Sequence, residues 1–562
     1  MEREQETMKR AVLHEMLKTE ITLETPPNAQ RGLKWLASQA DHFAPWIVTS
    51  ILAMMGMLGI VKAYYKPLWL DEIMGVLIAK VPLRSDIWAI CKAGVDNQPP
   101  LYHYAMRSSI QFFGNDALGT RVPSLVGYLL FSLCLYWFVS RRASRLYGVA
   151  AMLFPWTTRC WYYATEGRPY GLMLGCAGIA AVCWQSIVMR RRRGLMLAGL
   201  CLSLTCALNL HYYAVLLFVP FGIAEAVRTY RQRKWDIPVW IALAAPLLVL
   251  LAYLPVIRAA KANTGIPYAP FARANLPVTV WYFAADFLQS SLVPLICLGV
   301  LYFVVQIYSR PSSTAQLARA AVAKRLELIP EAFLVLGFTC FPVFAALLSR
   351  FVTHIFFSRY AIGGIFGFAL LLGFCAWLAF GDQKEPALAL VAIFAVLVLH
   401  DRIFDDYRTL LGDRANPARV GIPQRIHGRA QVDGLPIVAT NLDDYMGFYY
   451  YGDSAFRKRV FYVSSEELAK QYLGFTFHER MMIGSAPYFG TQVVDYNKFV
   501  GEHPRFYVFG TLQFSEWVVP KLMADGAELR LVQGGPINTD GGFADVCLLA
   551  QMPGKPSPVN DK

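Results

Sequence analysis

Two adjacent carboxylates, Asp71 and Glu72, lie just after the first long apolar stretch of the chain. Residues 43–61 contain no charged side chain and are long enough to cross a bilayer. Carboxylates are costly to hold near hydrocarbon, so an acidic pair beside Trp69 at a membrane face indicates a functional site. We therefore predict chemistry on a substrate whose tail lies in the lipid, with Asp71 and Glu72 as catalytic residues and Asp71 as the general base.

Other residues capable of chemistry recur where the apolar stretches end. They lie in the loop 63–121, after the third stretch, between the fifth and sixth stretches, and before the tenth. The candidates for substrate contacts are Tyr102, His103, Arg121, Arg159, Glu166, Arg168, Tyr170, His211, Tyr212, Arg359 and Tyr360.

The composition is that of a polytopic membrane protein. Of the 562 residues, 56% are hydrophobic and 16% are charged, and the mean hydropathy is +0.38, whereas soluble domains carry about 25% charged residues. The apolar residues form blocks of about 20, which is the length of a transmembrane helix. The net charge of +14 lies mostly in the loops between these blocks. It therefore indicates membrane topology and contact with anionic lipid rather than nucleic-acid binding.

The apolar blocks predict 11 membrane spans. With a cytoplasmic N-terminus, the inner loops carry sixteen Lys and Arg residues and the short outer loops carry six. Because cytoplasmic loops carry the excess of positive charge, residues 1–43 are predicted to be cytoplasmic and the C-terminus extracytoplasmic. The first outer loop is then 63–121. The predicted spans are 44–62, 122–140, 146–164, 170–189, 194–210, 212–227, 237–257, 287–308, 331–349, 360–380 and 386–400.

A separate region follows the spans. Residues 401–434 are polar and basic and are predicted to be a linker, and residues 553–562 are predicted to be a disordered tail. Between them, 435–552 alternate β-rich runs with helical patterns, which predicts an extracytoplasmic α/β domain with a partly parallel sheet. The predicted strands are 436–440, 459–463, 505–509, 528–532 and 545–550, and the predicted helices are 442–452, 465–473, 491–501 and 515–525.

Four separated motifs, in order along the predicted outer face, resemble the GT-C superfamily of membrane glycosyltransferases. They are the run from Leu70-Asp71-Glu72 through Pro99-Pro100-Leu101-Tyr102 to Arg121, Pro123 and Ser124, the element Glu166-Gly167-Arg168-Pro169-Tyr170, the pair His211-Tyr212, and the pair Arg359-Tyr360. The resemblance covers roughly residues 40–400. It is closest to the branch of the protein O-mannosyltransferases, the lipid A aminoarabinose transferase and the RgtA-like bacterial enzymes. Asn97, Gln98 and His103 depart from the pattern of that branch, and these departures bear on the acceptor contacts.

The resemblance implies transfer of a sugar from a polyprenyl-phosphate donor to an acceptor hydroxyl, with inversion at the anomeric carbon. The acceptor class is a cell-envelope lipid, polysaccharide or protein, and the setting is a bacterial inner membrane. The residue types fit this chemistry. A guanidinium binds an oxyanion through two parallel hydrogen bonds, which makes Arg168, Arg359 and Arg159 candidates for the donor phosphate.

The same residues also have structural interpretations, and the chain has two alternative functions. Acidic residues also cap helices, Glu166 and Arg168 also fit an ion pair, and arginines and tyrosines also anchor proteins at lipid headgroups. A flippase or transporter of lipid-linked sugars is the alternative function, although that class shows repeat symmetry and a polar site at the membrane midplane. An assembly scaffold whose outer domain binds partners is a third.

No cofactor follows from the sequence. The 11 cysteines lack metal-ligand spacing. A divalent cation bridging Asp71, Glu72 and Glu166 is an open alternative, since hard cations take carboxylate oxygens.

Overall fold

The computed structural model describes residues 27–96, 98–264, 276–288, 327–353, 356–406, 408, 425–426, 430, 433–510, 516–534 and 545–554. The predicted span 287–308 and the predicted linker 401–434 therefore lie largely outside the described residues. So do most of the predicted tail and the first 26 residues of the N-terminal segment.

Long apolar helices dominate the N-terminal two thirds of the chain. Within the described ranges, six helices are long and apolar enough to cross a membrane, and a seventh span exists if the pair Ile329–Thr339 and Phe341–Thr353, bent by 49°, is counted as one. The six are Ala44–Tyr65, Asp116–Ser140, Tyr170–Val188, Arg193–Leu210, Tyr212–Gln232 and Lys384–Phe404. The chain is thus a multi-pass membrane protein. Two shorter apolar helices, Ile237–Ala252 and Gly364–Phe380, coincide with the predicted spans 237–257 and 360–380.

The predicted span 146–164 is not one continuous α-helix. The helix Arg145–Leu153 gives way to two 3₁₀ segments, Phe154–Thr157 and Arg159–Thr165. Pro155 lies where the helix stops, and proline cannot donate the backbone hydrogen bond that a continuing helix requires. This segment is almost entirely buried among the other helices, so its apolar composition reflects packing against protein rather than lipid.

Short helices of the first outer loop lie between the first and second spans. They are Leu70–Lys80, Arg84–Lys92 and Leu101–Phe113. The helix Leu70–Lys80 begins after Trp69, whose backbone amide donates to the Glu72 side chain at 3.4 Å. The acidic pair therefore lies in the first turn of a helix that is anchored at its start.

The C-terminal region contains one six-stranded sheet in the order β3-β2-β1-β4-β6-β5. The neighbours from β3 to β4 pair in parallel, and β6 pairs antiparallel with both β4 and β5. The predicted partly parallel α/β region is thus confirmed. The strands are β1 Ile437–Ala439, β2 Val460–Ser464, β3 Val493–Asp495, β4 Arg505–Gly510, β5 Glu528–Gly534 and β6 Val546–Gln551.

Two elements of this region differ from the prediction. The predicted helix 491–501 splits into β3 and the helix Tyr496–Glu502, where the Asp495 side chain caps the helix. The helix Phe477–Phe489 has no counterpart in the prediction, and it contains Pro487, a residue that argues against a helix interior. The remaining helices are Leu442–Tyr451, Ser454–Arg457, Glu466–Leu473 and Val518–Ala524.

The sheet region and the first outer loop share one apolar core. Ile73, Val76 and Met106 of the outer loop belong to the same buried cluster as Tyr445 and Phe448 of the helix Leu442–Tyr451. Burial of apolar side chains stabilises by about 25 cal/mol per Å². The α/β region is therefore packed onto the loop that carries Asp71.

Candidate active site

Glu72, the residue after Asp71, forms a buried ion pair with Arg121. Glu72 and Arg121 are both fully buried, and the Arg121 Nε donates to Glu72 Oε1 at 2.8 Å while its NH2 donates to Glu72 Oε2. The same guanidinium donates to the carbonyls of Ala63 (2.8 Å), Lys66 and Pro67 (2.7 Å). Burial alone would raise the pKa of Glu72, but Arg121 outweighs that effect and holds it below its usual value. This pair fixes the end of the first span against the helix that carries the acidic pair.

Gly167 allows the Glu166–Tyr170 element to approach Glu72. Its backbone amide donates to Glu72 Oε1 at 2.6 Å, and a Cβ at this position would lie 2.2 Å from Thr120 Cγ2. Any side chain here would push the segment away from the ion pair. The glycine therefore lets the adjacent residues Glu166 and Arg168 reach the neighbourhood of Asp71.

Glu166, which is buried, and Lys66, which is half-buried, are charged groups that influence each other without a direct hydrogen bond. Glu166 is 1% exposed, and neither its Oε2 nor the Lys66 Nζ has a hydrogen-bond partner among the described residues. Burial raises the pKa of Glu166, with Lys66 opposing and Glu72 reinforcing the shift. Burial likewise lowers the pKa of Lys66. Both groups thus carry unused hydrogen-bonding capacity next to the acidic pair.

Two guanidinium groups flank the Asp71 carboxylate. Arg168 Nε lies 3.7 Å and Arg359 NH2 lies 3.9 Å from Asp71 Oδ2. Both separations exceed the 2.7–3.2 Å of a direct N–H···O hydrogen bond. The carboxylate is 25% exposed, and the arginine side chains are 13% and 24% exposed. The three side chains therefore lie side by side, each with part of its surface exposed. The Gln98 amide oxygen accepts from Arg168 NH1 at 3.2 Å in the corrected amide orientation, whereas Arg359 Nε has no hydrogen-bond partner among the described residues.

A second carboxylate, that of Asp96, lies close to the Arg168 guanidinium group. Arg168 NH1 lies 3.8 Å from Asp96 Oδ2, and the same oxygen is 3.0 Å from His103 Nε2. Although burial alone would raise the pKa of Asp96, Arg168 and His103 hold it below its usual value. Asp96 therefore stays ionised and links His103 to the arginine.

Aromatic rings form the wall behind the two arginines. The His211 ring lies 5.3 Å from Tyr170 and 5.5 Å from Tyr360, measured between centroids, and Tyr360 stacks on Tyr213 at 4.4 Å. His211 Nδ1 accepts from the Tyr213 amide at 3.2 Å, which places the ring at the break between two spans. The faces of these rings are apolar, while their hydroxyl groups and ring nitrogens are polar. Such a surface suits a sugar ring.

Three of the candidate residues lie apart from the cluster of Asp71, Arg168 and Arg359. Arg159 is exposed and pairs with Asp286 at 3.0 Å. Tyr212 packs with Tyr253 in a separate small cluster. Tyr102 is buried, and its hydroxyl donates to the Thr120 carbonyl at 3.0 Å, which ties the first outer loop to the second span.

Comparisons with known proteins bear on the region just described. The family model for dolichyl-phosphate-mannose-protein mannosyltransferases matches residues 97–258. No curated protein matches the chain in sequence. Two solved structures match over 90% of this chain and 98% of their own, with a TM-score of 0.52 and 12% identity: ArnT from Cupriavidus metallidurans bound to undecaprenyl phosphate, and the same protein in the apo state.

The chain shares the fold of these two structures. The resemblance seen in the motifs is thus confirmed, and the family match and the fold both support the predicted glycosyltransferase class. The matched segment 97–258 holds Arg168 and His211, while Asp71 and Arg359 lie outside it. Within this fold, elements far apart in sequence bring Asp71, Arg168 and Arg359 together.

The prediction omitted two residues that contribute to the site. Asp96 stands one turn before the double proline and seven residues before His103, so its spacing offered a signal. Ser124 closes the first of the four motifs, but no site role was assigned to it. Its Oγ lies 2.8 Å from the Arg168 carbonyl and accepts from the Gly171 amide at 3.1 Å, which fixes the turn that carries Arg168.

No metal centre is formed by the residues that the structure describes. Across those ranges, no group of three or more His, Cys, Asp or Glu side chains is placed to hold an ion. Asp71, Glu72 and Glu166, the three carboxylates considered as ligands, do not form such a group, and Glu72 is committed to Arg121.

A hydrogen bond from the α/β region reaches the start of the Asp71 helix. The Tyr451 hydroxyl accepts from the Leu68 amide at 2.7 Å and contacts the Leu68 carbonyl at 3.3 Å. Tyr451→Phe leaves a buried amide without a partner, which costs about 1–3 kcal/mol. We expect a lower melting temperature and several-fold slower transfer, measured on detergent-solubilised protein. Tyr472→Phe, at an exposed tyrosine of the same region, should change neither, and an equal effect of both variants would contradict the anchoring role.

Proposed function

We propose that this protein transfers a sugar from a polyprenyl-phosphate donor to an acceptor hydroxyl on the outer face of a bacterial inner membrane. The N-terminus is then cytoplasmic and the α/β region extracytoplasmic. The observation that carries the proposal is the cluster that the Asp71 carboxylate forms with the Arg168 and Arg359 guanidinium groups, at 3.7 Å and 3.9 Å. It combines a proton acceptor with an oxyanion site at a membrane surface.

Asp71, Arg168 and Arg359 each have a separate role in the proposed reaction. Asp71 takes the proton of the acceptor hydroxyl, whose oxygen attacks the anomeric carbon. The bond between that carbon and the phosphate oxygen breaks, and its electron pair leaves on the phosphate. Arg168 and Arg359 bind the phosphate and stabilise the charge that grows on it. Attack opposite the leaving group inverts the anomeric carbon, and no carboxylate nucleophile is required.

Glu72 acts as a positioning residue in this scheme. Both of its oxygens are engaged by Arg121, Gly167 or Trp69, and its side chain has no exposed surface. A carboxylate so enclosed cannot touch a substrate. Its role is to hold the first turn of the Asp71 helix.

The proposal is tested by comparing the envelope glycans and glycolipids of the host with and without this protein by mass spectrometry. Loss of one sugar substituent in the deletion strain, restored by the wild-type gene, is expected. Identical profiles in the two strains would contradict transfer. A flippase predicts a different result, in which a lipid-linked sugar is trapped inside although the purified protein cleaves no donor.

Arg168→Ala should weaken binding of undecaprenyl phosphate by about 10- to 100-fold, since a hydrogen bond to a charged group contributes about 1.5–3 kcal/mol. Titration of the purified protein in detergent measures this. Arg84→Ala removes an exposed arginine of the same outer loop and should leave the affinity unchanged. Equal affinities of the Arg168→Ala variant and the wild type would remove Arg168 from the phosphate site.

A further inference from the structure

Two spans extend from the Asp71 cluster to the opposite face of the membrane. The helix Asp116–Ser140 carries Arg121 in its second turn, and at 1.5 Å per residue its end lies about 28 Å further on. The helix Tyr170–Val188 begins two residues after Arg168 and is about 27 Å long. Since the hydrocarbon core of a bilayer is about 30 Å thick, both helices end at the face opposite Asp71.

A cavity of about 440 Å³ lies where these helices end. Four of its nine lining residues are arginines, and one is acidic, Glu327. The volume is within the range of about 300–1,000 Å³ that is usual for ligand sites. The cavity is therefore large enough for a ligand, and its lining is positively charged. The arginines are Arg142, Arg190, Arg228 and Arg231.

Buried carboxylates hold two of these arginines in place. Arg142 Nε donates to Glu331 Oε1 at 2.9 Å. Arg228 Nε donates to Glu225 Oε2 at 2.9 Å, and its NH2 donates to Asp236 Oδ2 at 2.7 Å. Glu331 is 1% exposed and Glu225 is 0% exposed. These ion pairs balance the charge of the two arginines and fix their positions before any ligand binds.

Arg190 and Arg231 supply the positive charge that remains unbalanced. Both side chains are exposed, and neither forms an ion pair or a side-chain hydrogen bond within the part of the chain that the structure describes. Basic residues are ordinary in cytoplasmic loops. That rule does not require arginines from two different helix ends to line one cavity beside two anchored arginines.

Arg190 occupies a backbone position that suits glycine. It follows the helix Tyr170–Val188 with a φ of 56°, in the left-handed region that is unfavourable for residues with a Cβ. The turn keeps its hydrogen bonds, because the Arg190 amide donates to the Ile187 carbonyl at 2.9 Å and the Arg191 amide donates to the Ser186 carbonyl at 2.8 Å. The arginine is thus not there for the sake of the turn. Replacing it by glycine removes the side chain and relieves the backbone at once.

The stretch of chain that precedes Glu327 does not complement this charge. Residues 289–326, which lie outside the described ranges, contain no Asp or Glu. Their charged residues are Arg310, Arg319, Lys324 and Arg325. The negative charge that would balance Arg190 and Arg231 therefore comes from elsewhere.

We propose that an acidic phospholipid of the bilayer binds in this cavity, with its headgroup phosphate held by Arg190 and Arg231. Guanidinium groups bind phosphate through paired hydrogen bonds, and basic pockets between membrane helices bind acidic headgroups. A lipid fits better than a soluble anion, because the cavity lies at the ends of spans and Val188 and Pro330 add apolar surface to its lining. The site lies in the leaflet opposite Asp71, and it does not depend on sugar transfer.

Arg190→Gly and Arg231→Gln should each weaken binding of phosphatidylglycerol about tenfold, since each removes hydrogen bonds to a charged group. The purified full-length protein, in a neutral detergent, is titrated with the lipid, and native mass spectrometry measures the affinity of the first lipid bound. Phosphatidylcholine, which has a phosphate but no net charge, should bind the wild type about tenfold more weakly. Without lipid, Arg190→Gly should melt at or above the temperature of the wild type, because glycine suits the left-handed turn.

Arg192→Gly is the matched control. Arg192 is exposed in the same loop and also has a left-handed φ, 42°, but it is not among the residues that line the cavity. The variant loses the same charge and should bind phosphatidylglycerol as the wild type does. Equal weakening by Arg192→Gly would overturn the site, and so would an unchanged affinity in both the Arg190→Gly and Arg231→Gln variants.

Two further measurements distinguish the lipid from other occupants of the cavity. If inorganic phosphate stabilised the wild type against heat as much as phosphatidylglycerol does, the site would be one for a soluble anion. If Arg190→Gly melted below the wild type without lipid, an acidic segment of this chain would already fill the cavity. Either result would overturn the lipid site and leave the proposed sugar transfer untouched.

Discussion

Asp71→Asn will lower the rate of sugar transfer by about 10²–10⁴-fold, the contribution expected of a positioned general base. The amide keeps the size of the side chain and cannot accept the acceptor proton. The helix Leu70–Lys80 should remain in place, because its anchors are Glu72, Arg121 and the Trp69 cap rather than Asp71. Product formation by purified protein, normalised to the amount of folded protein, measures the effect.

The affinity for undecaprenyl phosphate separates a chemical defect from a binding defect. Asp71→Asn removes a negative charge beside Arg168 and Arg359, so phosphate binding should be kept or strengthened while turnover is lost. Asp86→Asn, in the next helix of the same loop, should retain full turnover. Near-normal transfer by the Asp71→Asn variant would exclude this carboxylate as the base.

Arg121→Met will destabilise the protein by about 3–5 kcal/mol, the usual cost of leaving a buried charge without its partner. The guanidinium is fully buried and serves Glu72 and three backbone carbonyls at once. Its loss strands the Glu72 carboxylate and releases the end of the first span. Since whole domains are stable by only about 5–15 kcal/mol, this is a large fraction of the total. Thermal unfolding in detergent measures the change.

Arg193→Met is the matched substitution for comparison. Arg193 also pairs with an aspartate, Asp236, but its side chain is 42% exposed, and Asp236 keeps a second partner in Arg228. Exposed ion pairs contribute about 0–1 kcal/mol, so the melting temperature should barely change. Equal effects of the two substitutions would show that the Glu72–Arg121 pair does not fix the Asp71 helix.

The sequence predicted the membrane helices and the sheet because each has a strong local signal. Uncharged runs of about 20 residues, such as 43–61, have few explanations other than a span. Apolar β-rich runs such as Phe506–Phe509 likewise predict strands. Composition wrongly predicted one continuous span at 146–164, because a segment buried among helices is as apolar as one in lipid. The short strand β3 is three residues long and lay below any periodicity signal.

The sequence named the residues of the candidate site but did not predict how they are arranged. The residue types and motif order pointed to Asp71, Arg168 and Arg359, and the fold brings these three together. Spacing along the chain could not distinguish Asp71, whose side chain is partly exposed, from Glu72, which is buried in an ion pair with Arg121. That distinction depends on Gly167 and Arg121, which approach from other helices.

The most direct test of the account is reconstitution of the purified protein in liposomes with polyprenyl-phosphate lipids from the host and envelope acceptor on the outside. Mass spectrometry of the products should show a new glycosidic bond on the acceptor together with released polyprenyl phosphate, and neither should form with Asp71→Asn. Movement of the intact lipid-linked sugar across the bilayer, without cleavage of its phosphate bond, would contradict the account.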